Sequence, residues 1–159
     1  MQPIDIEYLP NCVAPADSDE KTTYLARPDC DYDRVYQVQS AVLLTCLRVL
    51  VRFSGVQPRC MLDIQKGWFW VGHNDRISVV CRDGHIVKDV EGCGPFYDIL
   101  SPEGAEYRFA IFELFAIVFD RNANVVKEVD CDIITNFEIR RDRLYLTDMS
   151  GKHIKVNLP

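Results

Sequence analysis

Val79-Val80-Cys81-Arg82-Asp83-Gly84-His85-Ile86-Val87-Lys88-Asp89-Val90 is the segment from which the architecture of this chain can be read. Runs of β-branched residues lie on both sides of its central Arg-Asp-Gly. Such side chains favour extended backbone, and a glycine in a short loop takes the positive φ of a chain reversal without steric cost. The segment therefore predicts two antiparallel strands joined by a tight turn.

The same pattern occurs twice more along the chain. Val118–Val129 repeats it 39 residues later, and Leu146–Val156 repeats it more loosely. The glycine of the first copy aligns with Ala123 and Gly151, and a lysine follows four positions later in every copy. Alanine is strained at positive φ. We therefore expect the second loop to be one residue longer, or Asn124 to take the left-handed position.

Each copy also follows an aromatic or apolar run; the three runs are Trp68–Val71, Tyr107–Phe112 and Phe137–Ile139. The repeated unit thus predicts three antiparallel strands, used three times. Propeller blades are one interpretation, but a ring needs about four to eight of them. One antiparallel meander of about eight or nine strands over residues 67–159, forming a curved sheet or a partly open barrel, is the architecture that we predict. Tyr107–Phe119 is interpreted as strand broken near Glu113, because aromatic and β-branched residues dominate it.

Residues 33–53 predict one long helix. About two-thirds of its circumference is apolar, and Ser54-Gly55 would end it. A helix of this kind is mostly buried, and we expect it to pack on the meander, which makes the predicted fold class α+β. The polar positions that recur at helical spacing are Arg34, Gln37, Thr45, Arg48 and Arg52.

The length and composition predict one domain over residues 1–159. The chain has 48% hydrophobic and 26% charged residues, as in ordinary soluble globular proteins. No secretory signal is recognisable at its beginning, and no run reaches the ~20 apolar residues of a membrane helix. Seven cysteines, an odd number, favour reduced thiols. We therefore predict a cytoplasmic protein that does not bind membranes.

Acidic residues dominate the beginning of the chain. Residues 1–32 predict an acidic extended or loop segment, and the net charge of the whole chain is −6. This acidity argues against a nucleic-acid partner, whose phosphates are negative, and favours a basic protein partner. The predicted partner-binding residues combine acids of this segment with two tryptophans of one strand: Asp17, Asp19, Glu20, Asp29, Asp31, Trp68 and Trp70.

Several kinds of reactive site are weighed against simpler interpretations. Cys93 lies between two glycines and is a candidate nucleophile, but it needs a histidine within hydrogen-bond reach, and all three histidines are expected at solvated turns. Cys81 and His85 flank a turn, yet no Cys-x-x-Cys or His-x-x-x-His pair exists, so we predict neither a metal site nor a cofactor. The acids Asp29–Asp33 fail the spacing of a calcium-binding loop and are interpreted as helix-capping residues.

These observations leave three classes of function open. The first is a non-catalytic cytosolic protein-binding domain whose acidic surface recognises a basic protein, for example a toxin-neutralising immunity protein or inhibitor. The second is a barrel-like carrier of a small apolar ligand. The third is a cysteine-dependent enzyme that uses Cys93. The first class is our prediction, so the chain is not expected to be an enzyme. The sequence contains no signature of a known family and does not determine the oligomeric state.

Overall fold

The computed structural model describes residues 5–9, 22–25, 34–39, 48–53, 55–102, 104, 106–140 and 143–158. Sheet I contains Asp5–Leu9 (β1), Thr22–Leu25 (β2), Arg34–Gln39 (β3) and Arg48–Phe53 (β4). Sheet II contains Arg59–Asp63 (β5), Trp68–His73 (β6), Arg76–Cys81 (β7) and Ile86–Glu91 (β8). Sheet III contains Phe96–Leu100 (β9), Arg108–Phe112 (β10), Phe115–Phe119 (β11) and Val125–Asp130 (β12). Sheet IV contains Ile134–Arg140 (β13), Arg143–Asp148 (β14) and His153–Lys155 (β15).

The strand order differs between the first sheet and the others. Sheet I has the order β1-β3-β4-β2, with β2 parallel to β4. Sheets II, III and IV are antiparallel, and their strands neighbour one another in chain order. The break that the sequence predicts near Glu113 is confirmed, because β10 ends at Phe112 and β11 begins at Phe115.

The predicted helix over residues 33–53 is wrong, and with it the α+β class: the described residues are all-β. β3 and β4 pair as antiparallel strands, with Tyr36 opposite Val51, and residues 40–47 lie outside the described part of the chain. Apolar and polar residues do not alternate over 33–53 as a whole, as they would in one half-buried strand. Within β4 every second residue does face the core, because Val49, Val51 and Phe53 are all fully buried. No helix in the described ranges is long and apolar enough to cross a membrane.

The sheets stack face to face, so that the two middle sheets are covered on both sides. On β6, Phe69 and Val71 pack with sheet I, while Trp70 between them packs with sheet III. On β10, Phe109 and Ile111 pack with sheet IV. Each fully buried side chain of this size contributes roughly 1.5–3 kcal/mol through the hydrophobic effect. Packing of one sheet on another therefore forms the core that a helix was predicted to form.

Consecutive antiparallel sheets stacked in this way are similar to successive blades of a β-propeller. The single curved meander or partly open barrel is therefore wrong as well. The continuous apolar runs explain the difference, because a strand with one wet face alternates polar and apolar residues, whereas a strand covered on both faces does not. Trp68–Val71 is such a continuous run, as is Phe115–Phe119.

The repeated turns form as predicted at Gly84 and Gly151, which have φ values of 91° and 82°. Between its strands the second loop, 120–124, is one residue longer than 82–85, as expected. Asn124 does not take the left-handed position, because Ala123 itself does, with φ of 61°. The Asp120 carboxylate accepts hydrogen bonds from the backbone N–H groups of Asn122 (2.8 Å) and Asn124 (2.9 Å). These bonds, and the burial of Ala123 between sheets II and III, hold the strained residue in place.

Alternating strand directions place the turns at two rims. The first rim carries the turns at 64–67, 82–85 and 120–124 and the described residues between β9 and β10, which are 101–102, 104 and 106–107. The second carries those at 74–75, 92–95, 113–114, 131–133 and 149–152. At the second rim, Leu114 N–H donates to Cys93 O (3.2 Å) and Met149 N–H to Ile133 O (2.8 Å). The third repeat of the turn pattern therefore lies at the opposite rim from the first two.

Candidate functional site

A partly buried polar network joins β6, β7 and β8 through the buried His73 and Ser78 and the exposed Asp89. The Ser78 hydroxyl donates to Asp89 Oδ1 (2.8 Å), so His73 Nε2 at 3.1 Å from Ser78 Oγ must carry the proton and donate. His73 Nδ1 then accepts from the Asn74 side-chain amide (3.2 Å). Every hydrogen-bonding group of the neutral imidazole is thus satisfied. Burial lowers the pKa of His73 to about 4, with Arg76 also lowering it and Asp89 partly opposing the effect.

This network contains the residue types of a hydrolytic triad, but the direction of its hydrogen bonds cannot activate the serine. A nucleophilic serine gives its proton to histidine, whereas Ser78 gives its proton to Asp89 and is 1% exposed. The network therefore stabilises the fold and is not a nucleophilic centre. The expectation that His73 is a solvated turn residue is wrong. His85 is exposed at its turn, as expected, and His153 is exposed in β15.

Cys93 is exposed in the connection between sheets II and III, as its neighbouring glycines predict. In the described part of the chain, its thiol has no hydrogen bond to any of the three histidines. No group of three or more candidate metal ligands occurs among the described residues. Cys81 and His85 close the same turn through a backbone hydrogen bond of 2.9 Å.

The predicted partner-binding residues fall into two groups. The acids Asp17, Asp19, Glu20, Asp29 and Asp31 all lie outside the described residues. Trp70 is fully buried and meets Phe119 edge-to-face, with ring centroids 5.3 Å apart. Trp68 is half-buried against the same core, and the Lys66 ammonium lies 5.2 Å from its ring centroid. Trp70 is thus a core residue in this structure.

A row of exposed carboxylates, which are not among the predicted site residues, runs along β12 and continues past its end. Glu128, Asp130 and Asp132 are exposed at alternate positions, and Val126 is exposed before them. We call these four residues the acidic edge. β12 is the last strand of sheet III and pairs only with β11 among the described strands. The alternating pattern Val-Val-Lys-Glu-Val-Asp was the signal that could have identified it.

A cavity of about 420 Å³ opens at the first rim. The β5–β6 turn, the loop after β9, and the turn after β11 surround it. Its charged lining consists of Asp63, Lys66, Arg108 and Arg121. Arg108 forms an ion pair with Asp63, and both side chains are largely buried. Nothing in the sequence pattern indicated this site, because its residues come from three separate turns.

Comparison with known proteins adds a likeness of fold. No protein-family model matches the chain, and no curated protein shows significant sequence similarity to it. BamB from Moraxella catarrhalis is similar in structure, with 10% identity, a TM-score of 0.50, and coverage of 76% of this chain and 37% of BamB. The computationally designed Ika4 protein has 11% identity and a TM-score of 0.50, with coverage of 91% of this chain and 94% of Ika4.

A third similar structure is NirN, a dihydro-heme d1 dehydrogenase, with 15% identity, a TM-score of 0.48, and coverage of 76% of this chain and 32% of NirN. The chain spans about a third of the length of BamB and NirN. At these identities the likeness to BamB and Ika4 concerns the fold alone. That the chain is not an enzyme stays a prediction.

Proposed function

We propose that this chain is a non-catalytic protein-binding domain that recognises a basic protein partner through the acidic edge. The observation that carries the proposal is the combination of an outer strand with exposed carboxylates. The backbone of an outermost strand has N–H and C=O groups available on one side. A strand of a partner can add to such a side, and its side chains then give specificity.

The contrast between the two outer strands β8 and β12 supports this choice. The carboxylates of Asp89 and Glu91 on β8 are already compensated by Arg76 of the neighbouring β7. The Arg76 guanidinium lies 2.8 Å from Asp89 and 3.0 Å from Glu91. On β12, Glu128 and Asp130 form no ion pair with the described residues. The neighbouring Lys127 ammonium donates to a backbone carbonyl, that of Asn157, at 2.8 Å. The negative charge of the acidic edge therefore remains available to attract a basic segment.

Within this proposal, a cytoplasmic immunity protein or inhibitor that neutralises a basic toxin is the finer class that fits, because such a protein works by masking a surface.

The second class, a carrier of a small apolar ligand, has less support. The space between sheets II and III is filled by side chains such as Trp70, Phe96 and Phe112, and the charged lining of the rim cavity does not suit an apolar molecule.

Charge reversal at the acidic edge tests the proposal. We expect Glu128→Lys/Asp130→Lys to weaken binding of a fluorescein-labelled ten-residue peptide of alternating lysine and valine by at least tenfold, measured by fluorescence anisotropy. Two favourable charge contacts become repulsive in this variant. We also expect wild-type binding to weaken between 20 and 150 mM salt, because screening acts on exposed charges over about a Debye length of 10 Å.

The matched control is Glu106→Lys/Glu138→Lys, which changes the net charge by the same amount at exposed positions away from β12. It should bind the peptide almost as tightly as the wild type in the same buffer. An equal loss of affinity in both double variants would show that the peptide senses only the net charge, and the assignment of the acidic edge would be wrong.

A further inference from the structure

The guanidinium of Arg108 holds more hydrogen-bond donors than its surroundings can satisfy. Its Nη2 donates to Asp63, whereas its Nε and Nη1 are buried and have no acceptor. The indole Nε1 of Trp70 is also buried without an acceptor, and the Arg108 guanidinium carbon lies 5.3 Å from the Trp70 ring centroid. Buried donors without acceptors are rare in proteins and require an explanation.

The cavity at the first rim provides the space for the missing acceptor. Arg108 and Asp63 both line it, and the side chains of Lys66 and Arg121 stand around the same cavity. Three cationic groups therefore surround it together with one carboxylate. Lys66 is held in position by Asn122 Oδ1 at 2.9 Å, and Arg121 lies 3.7 Å from the carboxylate of the exposed Glu106.

Asp63 is best understood as the anion that occupies the site when no ligand is bound. Its Oδ1 also accepts from the backbone N–H of Lys66 at 3.1 Å, so it keeps one partner when Arg108 turns away. Because the free donors of Arg108 are buried, they would reach a ligand oxygen only if the guanidinium turned from Asp63 into the cavity. Arginine suits this exchange, because its planar donors match the oxygens of carboxylate and phosphate groups.

We propose that this cavity, which we call the Arg108 cavity, binds a small molecule that carries an oxyanion, either a carboxylate or a phosphate. Arg108 contacts the oxyanion, and Lys66 and Arg121 compensate its charge. The site is separate from the acidic edge, which lies along β12 and attracts positive charge. The protein thus has two surfaces of opposite preference, one for a basic segment and one for a small anion.

Titration with simple anions tests the inference. We would follow amide chemical shifts in ¹⁵N–¹H NMR spectra at constant ionic strength, with inorganic phosphate, succinate and chloride as probes. We expect saturable shifts at the turns 64–67, 101–107 and 120–124 with phosphate or succinate, and none with chloride. Saturation by phosphate alone identifies a phosphorylated ligand, and saturation by succinate alone identifies a carboxylate ligand. The absence of saturation with either probe overturns the proposal.

Three variants connect the shifts to Arg108. Asp63→Asn removes the competing carboxylate and should tighten binding at least fivefold. Asp63→Asn/Arg108→Gln removes both charges together, so no buried charge is left unpaired, and it should abolish binding while the protein stays folded. Glu138→Gln, which removes an exposed carboxylate from sheet IV, should leave the affinity unchanged. Equal affinity in the wild type and in the double variant would show that the anion binds elsewhere, and the assignment would fail.

Discussion

Gly72→Ala should lower the free energy of unfolding by about 3 kcal/mol, as expected for overpacking in a filled core. A Cβ atom at Gly72 would overlap the Cε1, Cζ and Cε2 atoms of the Phe96 ring. Gly72 is in β6 of sheet II and Phe96 opens β9 of sheet III, so the Phe96 ring occupies the space that a side chain at Gly72 would need. Phe96 cannot move freely, because its ring also packs edge-to-face on Phe112 with centroids 5.4 Å apart. Urea denaturation followed by circular dichroism measures the loss.

A double-mutant cycle with Phe96→Leu shows whether the loss comes from this clash or from a general sensitivity of strand β6 to substitution. Phe96→Leu alone should destabilise the protein, because it removes the contact with Phe112. In the Gly72→Ala background the same replacement should cost much less, or even stabilise the protein, since the smaller side chain makes room for the new methyl group. Additive losses in the cycle would contradict the predicted clash.

Acid should destabilise the protein through His73 as the pH falls from about 6.5 to about 4. The folded-state pKa of about 4 lies below the ordinary value of 6.5, because burial penalises the charged imidazole. Between these two pH values the unfolded chain binds more protons than the folded one. The free energy of unfolding therefore falls as the pH falls through this window, by about 3 kcal/mol in total. The stabilisation is fully present above about pH 6.5.

Urea denaturation at intervals from pH 7 to pH 4.5 measures this slope. His73→Gln should flatten it, because glutamine does not titrate, even if the variant is less stable at every pH. His85→Gln is the matched control, since the His85 side chain is 84% exposed, and it should keep the wild-type slope. A wild-type slope that survives in His73→Gln would assign the acid sensitivity to other groups.

Local patterns in the sequence predicted the strands well in the second half of the chain. The turns at Gly84 and Gly151 form where expected, because the demand for positive φ is a property of a few adjacent residues. Local patterns do not decide the structure of the segment comprising residues 34–53. Its apolar residues fit a helix and two separate strands almost equally well, and only the pairing of β3 with β4 decides between them.

The candidate sites have weaker signals in the sequence than the strands have. The acidic edge was present as an alternating pattern in β12, but its meaning depends on β12 being an outermost strand. His73 resembles a solvated turn residue until the burial of its neighbours is known. The Arg108 cavity could not be found at all, because Asp63, Arg108 and Arg121 are separated by many residues and meet only when three turns reach the same rim.

The amino-acid sequence by itself determined that this chain contains antiparallel strand pairs with tight glycine turns, since β-branched runs and positive φ are governed by neighbouring residues. The tertiary structure alone decided that the strands divide into separate stacked sheets, that residues 34–39 and 48–53 are extended, and which turns share a rim. The physical reason is that burial on both faces of a sheet is a long-range property. A strand with a continuous apolar run must be buried on both faces. The run does not specify whether a helix or another sheet packs against each face.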